Sequence, residues 1–138
     1  MPIQPYINFD GDCLDAVRFY VDVFKTEQPE IMYYEDMPED PNFPITDDIK
    51  KLVLHTTLNI NGSSVMFSDV PPDMPFLKGN NVSLTFISND EEEIRHIFDR
   101  LKEGGTVGME LGKTFWSKCY GAVTDKFGVE WQLDFDEE

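Results

Sequence analysis

Apolar residues change their spacing along the chain, and each change marks the boundary of a predicted element. Residues 3–9 alternate as a strand does, whereas residues 13–24 place apolar side chains on one helical face, which predicts a helix capped by Asp12. Alternation then returns in three predicted strands, at residues 30–35, 51–60 and 63–69. The Asn61-Gly62 pair between the last two strands is typical of a tight hairpin turn.

The second half of the chain repeats this order of elements. Residues 81–88 have a strand pattern, and the following helix has Asn89 as its predicted N-cap, Glu92 at the capping-box position and Gly104 as the start of its stop. Three more strands are predicted, at residues 106–111, 117–124 and 129–135. The order strand, helix, strand, strand, strand therefore occurs twice.

This duplication predicts an α+β fold in which two βαβββ modules, at about residues 1–70 and 80–138, make up a single domain. We expect the paired modules to form a curved mixed sheet around a cleft, because two such units can place their sheets side by side. A ferredoxin-like or other α+β sandwich is the alternative, since the order of elements does not fix which strands pair.

The charge balance narrows the choice of partners. The chain has 27 acidic and 11 basic residues, a net charge of −16, which repels phosphate backbones and anionic membrane surfaces. We therefore expect no nucleic acid and no membrane as partners. The field favours a cationic ligand, although acidic side chains more often form only a solvated surface. No apolar run reaches the roughly 18 residues that span a bilayer, and no export signal is visible, which predicts a cytoplasmic location.

Both cysteines are predicted to be free thiols. Cys13 and Cys119 stand far apart in the sequence, with no CxxC pair for a metal or a redox centre. Cys119 would need a nearby cation or histidine to act as a nucleophile, and the side chain of its neighbour Lys118 should point to the opposite face of a strand. We therefore expect Cys119 to be inert.

Three segments resemble a known family: PYINFDGDCLDAVRFYVDVF, LHTTLNINGSSVMFSD and KTFWSKCYGAVTDKFGVEW. They are similar to the PhnB-like branch of the vicinal oxygen chelate superfamily, which includes glyoxalase I, bleomycin-resistance proteins and extradiol dioxygenases. The resemblance covers nearly the whole chain, and it implies the glyoxalase/bleomycin-resistance/dioxygenase fold and a homodimer. Similar proteins have been labelled quinone methyltransferases, but that reaction is expected to need a nucleotide-binding glycine loop on a parallel sheet, and no such pattern is visible.

The resemblance also implies where metal ligands would lie. Metal-dependent members carry one ligand on the first strand and one on the last strand of each module, most often His or Glu. The matching positions in this chain are Gln4 or Pro5, Met66 or Ser68, Ser83 and Gln132. Amide, hydroxyl and thioether groups are poor ligands for first-row metal ions, so we expect no metal and no cofactor.

Strand alternation provides candidates for a ligand-binding surface. In the strand predicted at residues 51–60 one face carries His55, Thr57 and Asn59, and the other carries Leu54, Thr56, Leu58 and Ile60. The strands that contain Ser68, Ser83 and Gln132 show the same separation of polar and apolar faces. If the helices cover the apolar faces, the polar faces line the cleft; otherwise they simply meet solvent. With Trp116 as an aromatic stacking residue, the candidates are His55, Ser68, Ser83, Trp116 and Gln132.

Three functions are compatible with these features. The first is a metal-free dimer that binds a small molecule of unknown identity, and the absence of ligand-type side chains favours it. The second is a metal-dependent lyase, isomerase or dioxygenase in which His55 acts with Asp69 or Glu130. The third is a structural or regulatory dimer without a small ligand. The first of these functions has no assigned catalytic residue, and the role of His55 stays open.

Overall fold

The computed structural model describes residues 2–137, and it divides into two compact units that meet in the sequence between Leu77 and Lys78. The first unit contains the helix α1 (Cys13–Phe24) and a four-stranded sheet, which we call sheet 1. Its strands are β1 (Tyr6–Phe9), β2 (Met32–Tyr33), β3 (Val53–Ile60) and β4 (Ser63–Asp69). They lie in the order β1-β4-β3-β2, with β1 parallel to β4 and the other pairs antiparallel.

The second unit repeats this topology. It contains the helix α2 (Glu91–Leu101) and sheet 2, in the order β5-β8-β7-β6. The strands of sheet 2 are β5 (Leu84–Ser88), β6 (Thr106–Gly112), β7 (Tyr120–Thr124) and β8 (Glu130–Phe135). Again the first strand pairs in parallel with the last, and the remaining pairs are antiparallel. Each sheet takes its strands from one half of the chain, so the predicted α+β fold with repeated βαβββ modules is confirmed.

Each helix covers one face of its own sheet because its apolar stripe meets the apolar positions of the strands. In the first unit Tyr20 of α1 stacks on Phe67 of β4, with ring centroids 5.6 Å apart, and both are fully buried. In the second unit Ile94 and Phe98 of α2 are buried, as is Leu133 of β8. A buried side chain of this size stabilises the fold by about 1.5–3 kcal/mol. The opposite face of each sheet, which we call its open face, carries the polar residues.

The beginning of α2 lies one residue later than predicted. The N-cap is Asp90, whose Oδ1 accepts hydrogen bonds from the backbone N–H groups of Glu92 and Glu93 at 3.0 and 3.3 Å. The prediction that Asn89 caps the helix was therefore wrong, because two neighbouring residues of the same capping type cannot be ranked from sequence. The three glutamates of the first turn complement the positive end of the helix dipole.

The beginning of α1 is built by a residue distant in sequence. Asp12 occupies the predicted N-cap position, but its side chain makes no capping hydrogen bond. Instead, Oδ1 of Asp69 accepts from the backbone N–H groups of Gly11 and Cys13 at 2.9 and 3.0 Å. The other oxygen of Asp69 accepts from the N–H of Val53 at 2.9 Å. One buried carboxylate thus joins β4, β3 and the start of α1.

Several strands are shorter than the sequence pattern predicts, including the strands predicted at residues 3–9 and 51–60, which begin at Tyr6 and Val53. The strand predicted at residues 30–35 is reduced to Met32–Tyr33, where the pairing with β3 changes register and a short 3₁₀ turn, Tyr34–Asp36, follows. The strands predicted at residues 81–88 and 117–124 begin only at Leu84 and Tyr120. Neither α1 nor α2, the helices of the described residues, is long and apolar enough to cross a membrane.

Candidate functional site

A continuous line of hydrogen bonds crosses the open face of sheet 2. The hydroxyl of Tyr120 on β7 donates to Oε1 of Gln132 on β8 at 2.6 Å. The amide of Gln132 in turn donates through Nε2 to Oγ of Ser83, just before β5, at 2.8 Å. The three strands are neighbours in the sheet, so the ladder itself brings these side chains together. The side chain of Gln132 is therefore held in one orientation.

A cavity of about 350 Å³ lies on this face, and we call it the sheet 2 cavity. Its volume falls within the range of roughly 300–1,000 Å³ that is typical of sites for small molecules. The polar residues of its wall are Asn80, Asn81, Ser83, Thr124, Glu130 and Gln132. The apolar part of the wall includes Ala122 and Val123 of β7. A few fixed polar groups in a partly apolar wall can orient an organic ligand.

Trp116 lies next to the hydrogen-bonded line, in the loop between β6 and β7. Its ring meets that of Tyr120 edge to face, with centroids 5.2 Å apart, and it remains 54% exposed. The hydroxyl of Thr114 accepts from the backbone N–H groups of Trp116 and Ser117, which fixes the loop that carries the indole. Three of the predicted site residues, Ser83, Trp116 and Gln132, are thus connected through Tyr120.

The other two predicted residues lie on the open face of sheet 1. Each ring nitrogen of His55 is 3.3 Å from a hydroxyl oxygen, that of Tyr6 at Nδ1 and that of Thr57 at Nε2. Ser68 is 6% exposed and its hydroxyl donates to Oδ1 of Asn8 at 2.9 Å. Both residues are engaged in hydrogen bonds of sheet 1 and do not line the sheet 2 cavity.

A second concave surface is present in the first unit, between the loop after α1 and strand β3. It encloses about 500 Å³ and is lined by Thr26, Glu27, Gln28, Pro29, Thr57, Leu58 and Asn59. Neither His55 nor Ser68 is part of this lining. We call it the sheet 1 groove, and it serves below as the comparison for binding experiments.

The residues at the ligand positions of the superfamily do not fit a divalent metal ion. Gln132 and Ser83 present a neutral amide and a hydroxyl that already form a hydrogen bond with each other. The amide oxygen of Gln132 also accepts a hydrogen bond from the hydroxyl of Tyr120. Hard ions such as Mg²⁺ are usually held in proteins with the help of carboxylates, and borderline ions such as Zn²⁺ by imidazole, thiolate or carboxylate groups. Among residues 2–137 the His, Cys, Asp and Glu side chains form no group of three or more that could hold a metal ion.

The residues of the metal-dependent alternative have other roles in the structure. Both oxygens of Asp69 accept backbone hydrogen bonds, and the residue is only 2% exposed. Burial raises the pKa of this carboxyl group, and the three N–H donors lower it again in part. Glu130 is available in the wall of the sheet 2 cavity, but its neighbour on that face is the neutral Gln132.

Both thiols are buried and free. Burial is also the main reason that the pKa of Cys119 is raised. The pKa of Cys13 is raised more strongly, by burial and then by the nearby charge of Asp69. Thiols in such surroundings stay protonated at neutral pH and react slowly. The side chain of Lys118 pairs with Glu137 and does not activate Cys119.

The sequence analysis missed the two asparagines of the cavity wall. Asn80 ends a segment whose glycine and prolines indicate only a linker, whereas Asn81 begins the strand predicted at residues 81–88, where alternation places it on the face of Ser83. Tyr120 is also absent from the predicted site residues. Tyr120 lies two residues before Ala122, the cross-strand partner of Gln132, so Tyr120 and Ala122 share one face of β7. Strand alternation could therefore have suggested the hydrogen bond from Tyr120 to Gln132.

The chain has the glyoxalase/bleomycin-resistance/dioxygenase fold, with its two repeated βαβββ modules. It is similar to the fosfomycin resistance protein FosX from Listeria monocytogenes, with a TM-score of 0.62, 13% identity and coverage of 97% of this chain and 91% of that one. A glyoxalase-related enzyme from Fulvimarina pelagi gives a TM-score of 0.63 at 17% identity, covering 99% and 89% of the two chains. At these identities the likeness concerns the fold alone.

Among proteins of this fold, the chain belongs to the PhnB-like family whose model, described as 3-demethylubiquinone-9 3-methyltransferase, matches residues 2–134. Protein YjdN from Escherichia coli K12 is 33% identical over 150 residues, which cover 97% of this chain and 95% of that protein. The crystal structure of PA1353 from Pseudomonas aeruginosa has a TM-score of 0.87 at 30% identity and covers 100% and 99% of the two chains. A PhnB protein from Bacillus cereus has a TM-score of 0.72 at 32% identity and covers 99% of this chain and 100% of that one.

The description of the family names a methyl transfer, and the sheets do not have the architecture expected for that chemistry. Each sheet has a single parallel pair, β1 with β4 or β5 with β8, and both are four-stranded. A doubly wound parallel sheet with a glycine-rich loop, the usual frame of a nucleotide-type cofactor, is a different arrangement. Membership of the family therefore does not by itself give this chain the reaction that the description names.

Proposed function

We propose that this protein binds a small organic molecule in the sheet 2 cavity, that binding requires no metal ion, and that the chain acts as a homodimer. The observation that carries the proposal is the line of hydrogen bonds from Tyr120 through Gln132 to Ser83 in and beside the cavity wall. These bonds fix the polar groups before a ligand arrives, so little side-chain entropy is lost on binding.

Binding fits the chemistry of the cavity better than catalysis does. The residues that line it include no Cys, His, Lys or Arg, and Glu130 is the ionisable residue among them. Covalent catalysis needs an activated nucleophile, and proton transfer usually needs a pair of groups with different tasks. A wall of amides and hydroxyls instead provides donors and acceptors that recognise a ligand without changing it.

The metal-dependent alternative has weaker support in this chain. It would require an ion held by His55 together with Asp69 or Glu130, and Asp69 would first have to release three backbone N–H groups. The third possibility, a structural dimer without a ligand, offers no reason for a cavity with aligned polar groups on the open face of sheet 2.

The homodimer rests on the likeness to the PhnB-like family. Sedimentation equilibrium is expected to give twice the chain mass of 15.9 kDa, and a mass equal to that of one chain would contradict this part of the proposal. A cytoplasmic location is also part of the proposal, and it is supported by Cys13 and Cys119, which are free thiols of the kind that reducing compartments preserve.

A fragment titration followed by ¹H–¹⁵N NMR tests the binding site. In buffer with a chelator, binding fragments are expected to shift the amide signals of Ser83, Thr124 and Gln132 rather than those of the sheet 1 groove. The substitution Gln132→Met keeps the size of the side chain but removes both hydrogen bonds, and it should weaken binding at least about fivefold. The control Gln28→Met, in the sheet 1 groove, should leave binding unchanged.

Two outcomes of this titration contradict the proposal. One is a set of shifts confined to the sheet 1 groove, which would move the binding site to the first unit. The other is a fragment that shifts the sheet 2 signals only after a divalent ion replaces the chelator, which would favour the metal-dependent alternative.

A further inference from the structure

Two of the smallest residues form part of the wall of the sheet 2 cavity. Ala122 on β7 is the cross-strand partner of Gln132, so their side chains share the open face of sheet 2. Gly108 on β6 lies where the pairing with β7 changes register between Val107 and Met109, and it also belongs to the cavity lining. We call Gly108 and Ala122 the cavity floor. Beside Gln132, the cavity is therefore bounded by backbone and a single methyl group.

Neither the backbone nor the packing of the chain requires glycine at position 108. The φ of Gly108 lies outside the left-handed region that glycine alone adopts readily. A Cβ atom at this position would lie 3.8 Å from Cβ of Ala122 and 3.7 Å from its carbonyl oxygen, which are ordinary van der Waals distances. At Gly105, by contrast, a Cβ atom would collide with the carbonyl oxygen of Thr124. Glycine weakens a strand, so its presence at position 108 needs another reason.

The missing side chain of Gly108 would lie in the cavity. The atoms nearest to its Cβ position belong to Ala122, whose methyl group lies on the open face of the sheet. Glycine in a strand often marks a place where a ligand approaches the backbone closely, and bulges are frequent beside active sites. A flat ring on the cavity floor would contact the backbone of Gly108 directly, whereas a methyl group there would hold the ring away.

An unused hydrogen-bond donor lies beside the cavity floor. Nε2 of Gln132 carries two N–H groups, of which one donates to Ser83, and no group of residues 2–137 accepts from the other. A ligand that reaches this N–H needs an acceptor. Because the cavity lining includes Glu130 and no basic residue, and the chain has a net charge of −16, a neutral acceptor fits better than an anionic one.

We infer that the ligand of the sheet 2 cavity has a flat ring that lies directly on the cavity floor and carries a neutral hydrogen-bond acceptor, such as an amide carbonyl, which binds the second N–H of Gln132. Gly108 is then the residue that selects flat ligands over thicker ones. This inference rests on the proposed function and adds the shape and the chemical class of the ligand.

Two probes with the same polar group and different ring shapes test the inference: benzamide, which has a flat ring, and cyclohexanecarboxamide, which has a puckered one. Both are neutral and of similar size. In NMR titrations that follow the backbone amides of Gly108 and Gln132 in chelated buffer, benzamide is expected to bind at least about fivefold more tightly, because a puckered ring keeps part of its atoms out of contact with the floor.

A matched pair of variants tests the role of Gly108. Gly108→Ala should weaken the binding of benzamide at least about fivefold, because the added methyl group separates the ring from the backbone. Its midpoint of urea unfolding should be unchanged or higher, since alanine fits the local backbone. Gly112→Ala makes the same change in β6 outside the cavity lining, and it should alter the affinity for benzamide by less than about twofold.

The contrary outcomes are distinguishable. Equal affinities of the two probes for the wild-type chain would remove the preference for flat rings and leave the proposed binding site standing. Equal effects of Gly108→Ala and Gly112→Ala on the affinity for benzamide would show that Gly108 is not the floor of the ligand site. If neither probe shifts the sheet 2 signals, the inference is wrong, and the proposed function is wrong as well only if the fragments of the broader titration also fail to shift them.

Discussion

The variant Asp69→Ala is expected to lose about 3–5 kcal/mol of unfolding free energy, because three backbone N–H groups, two of them in buried hydrogen bonds, would lose their acceptor at once. Those groups belong to Gly11, Cys13 and Val53, and they lie 16 to 58 residues away from Asp69 in sequence. The carboxylate holds the start of α1 against both central strands of sheet 1. Urea unfolding followed by circular dichroism measures the loss.

Two further variants make this result specific. Asp69→Asn can accept two of the bonds through its amide oxygen, but its NH₂ group faces the N–H of Val53, so an intermediate loss of about 1–3 kcal/mol is expected. Asp73→Ala removes the same charge from an exposed position in the following loop and should change stability by less than about 0.5 kcal/mol. Equal, small effects of Asp69→Ala and Asp73→Ala would contradict the structural role of Asp69.

The variant Asp125→Ala is expected to lose about 2–4 kcal/mol of unfolding free energy in the second unit, for a related reason. Oδ1 of Asp125 accepts from the backbone N–H groups of Phe127 and Val129 at 2.9 and 3.1 Å. Its other oxygen accepts from the indole N–H of Trp131 at 2.9 Å, and the residue is 3% exposed. The side chain therefore closes the turn between β7 and β8 and anchors the core tryptophan of β8.

The effect of Asp125→Ala should also reach the ligand site, because Trp131 is adjacent to Gln132. We expect the amide signal of Gln132 to broaden or shift in the variant at temperatures where the chain is still folded. Glu110→Ala, on the exposed side of β6 in the same sheet, is the matched loss of one charge and should leave both stability and the Gln132 signal unchanged. A neutral effect of Asp125→Ala would show that water replaces the carboxylate without loss.

The repeated order of elements and the faces of the strands could be predicted from the sequence because both depend on local periodicity. Tyr6 and Asn8 alternate with Ile7 and Phe9, and the structure places Tyr6 and Asn8 opposite Met66 and Ser68 on the open face of sheet 1. Gln132 alternates with Trp131 and Leu133 in the same way. Such a pattern determines the register of the strand, because a shift by one residue would bury its polar side chains.

The parts that could not be predicted depend on contacts between distant residues. Nothing near Asp69 in sequence indicates that it caps α1, because its partner Gly11 lies 58 residues earlier. Between β7 and β8 the chain turns at Gly128, which adopts a φ of 87°, but the hydrogen bond from Trp131 to Asp125 depends on how β8 packs. Asn80 reaches the cavity from a segment without periodicity.

The metal content of the purified protein tests the central claim most directly. The chain should be purified without chelators and without a metal-affinity tag, dialysed against equimolar Mn²⁺, Ni²⁺ and Zn²⁺, and analysed by inductively coupled plasma mass spectrometry after desalting. Because amide and hydroxyl groups hold these ions weakly, the account predicts less than about 0.1 equivalent of any of them per chain. Retention of about one divalent ion per chain would contradict it and would favour the metal-dependent enzyme.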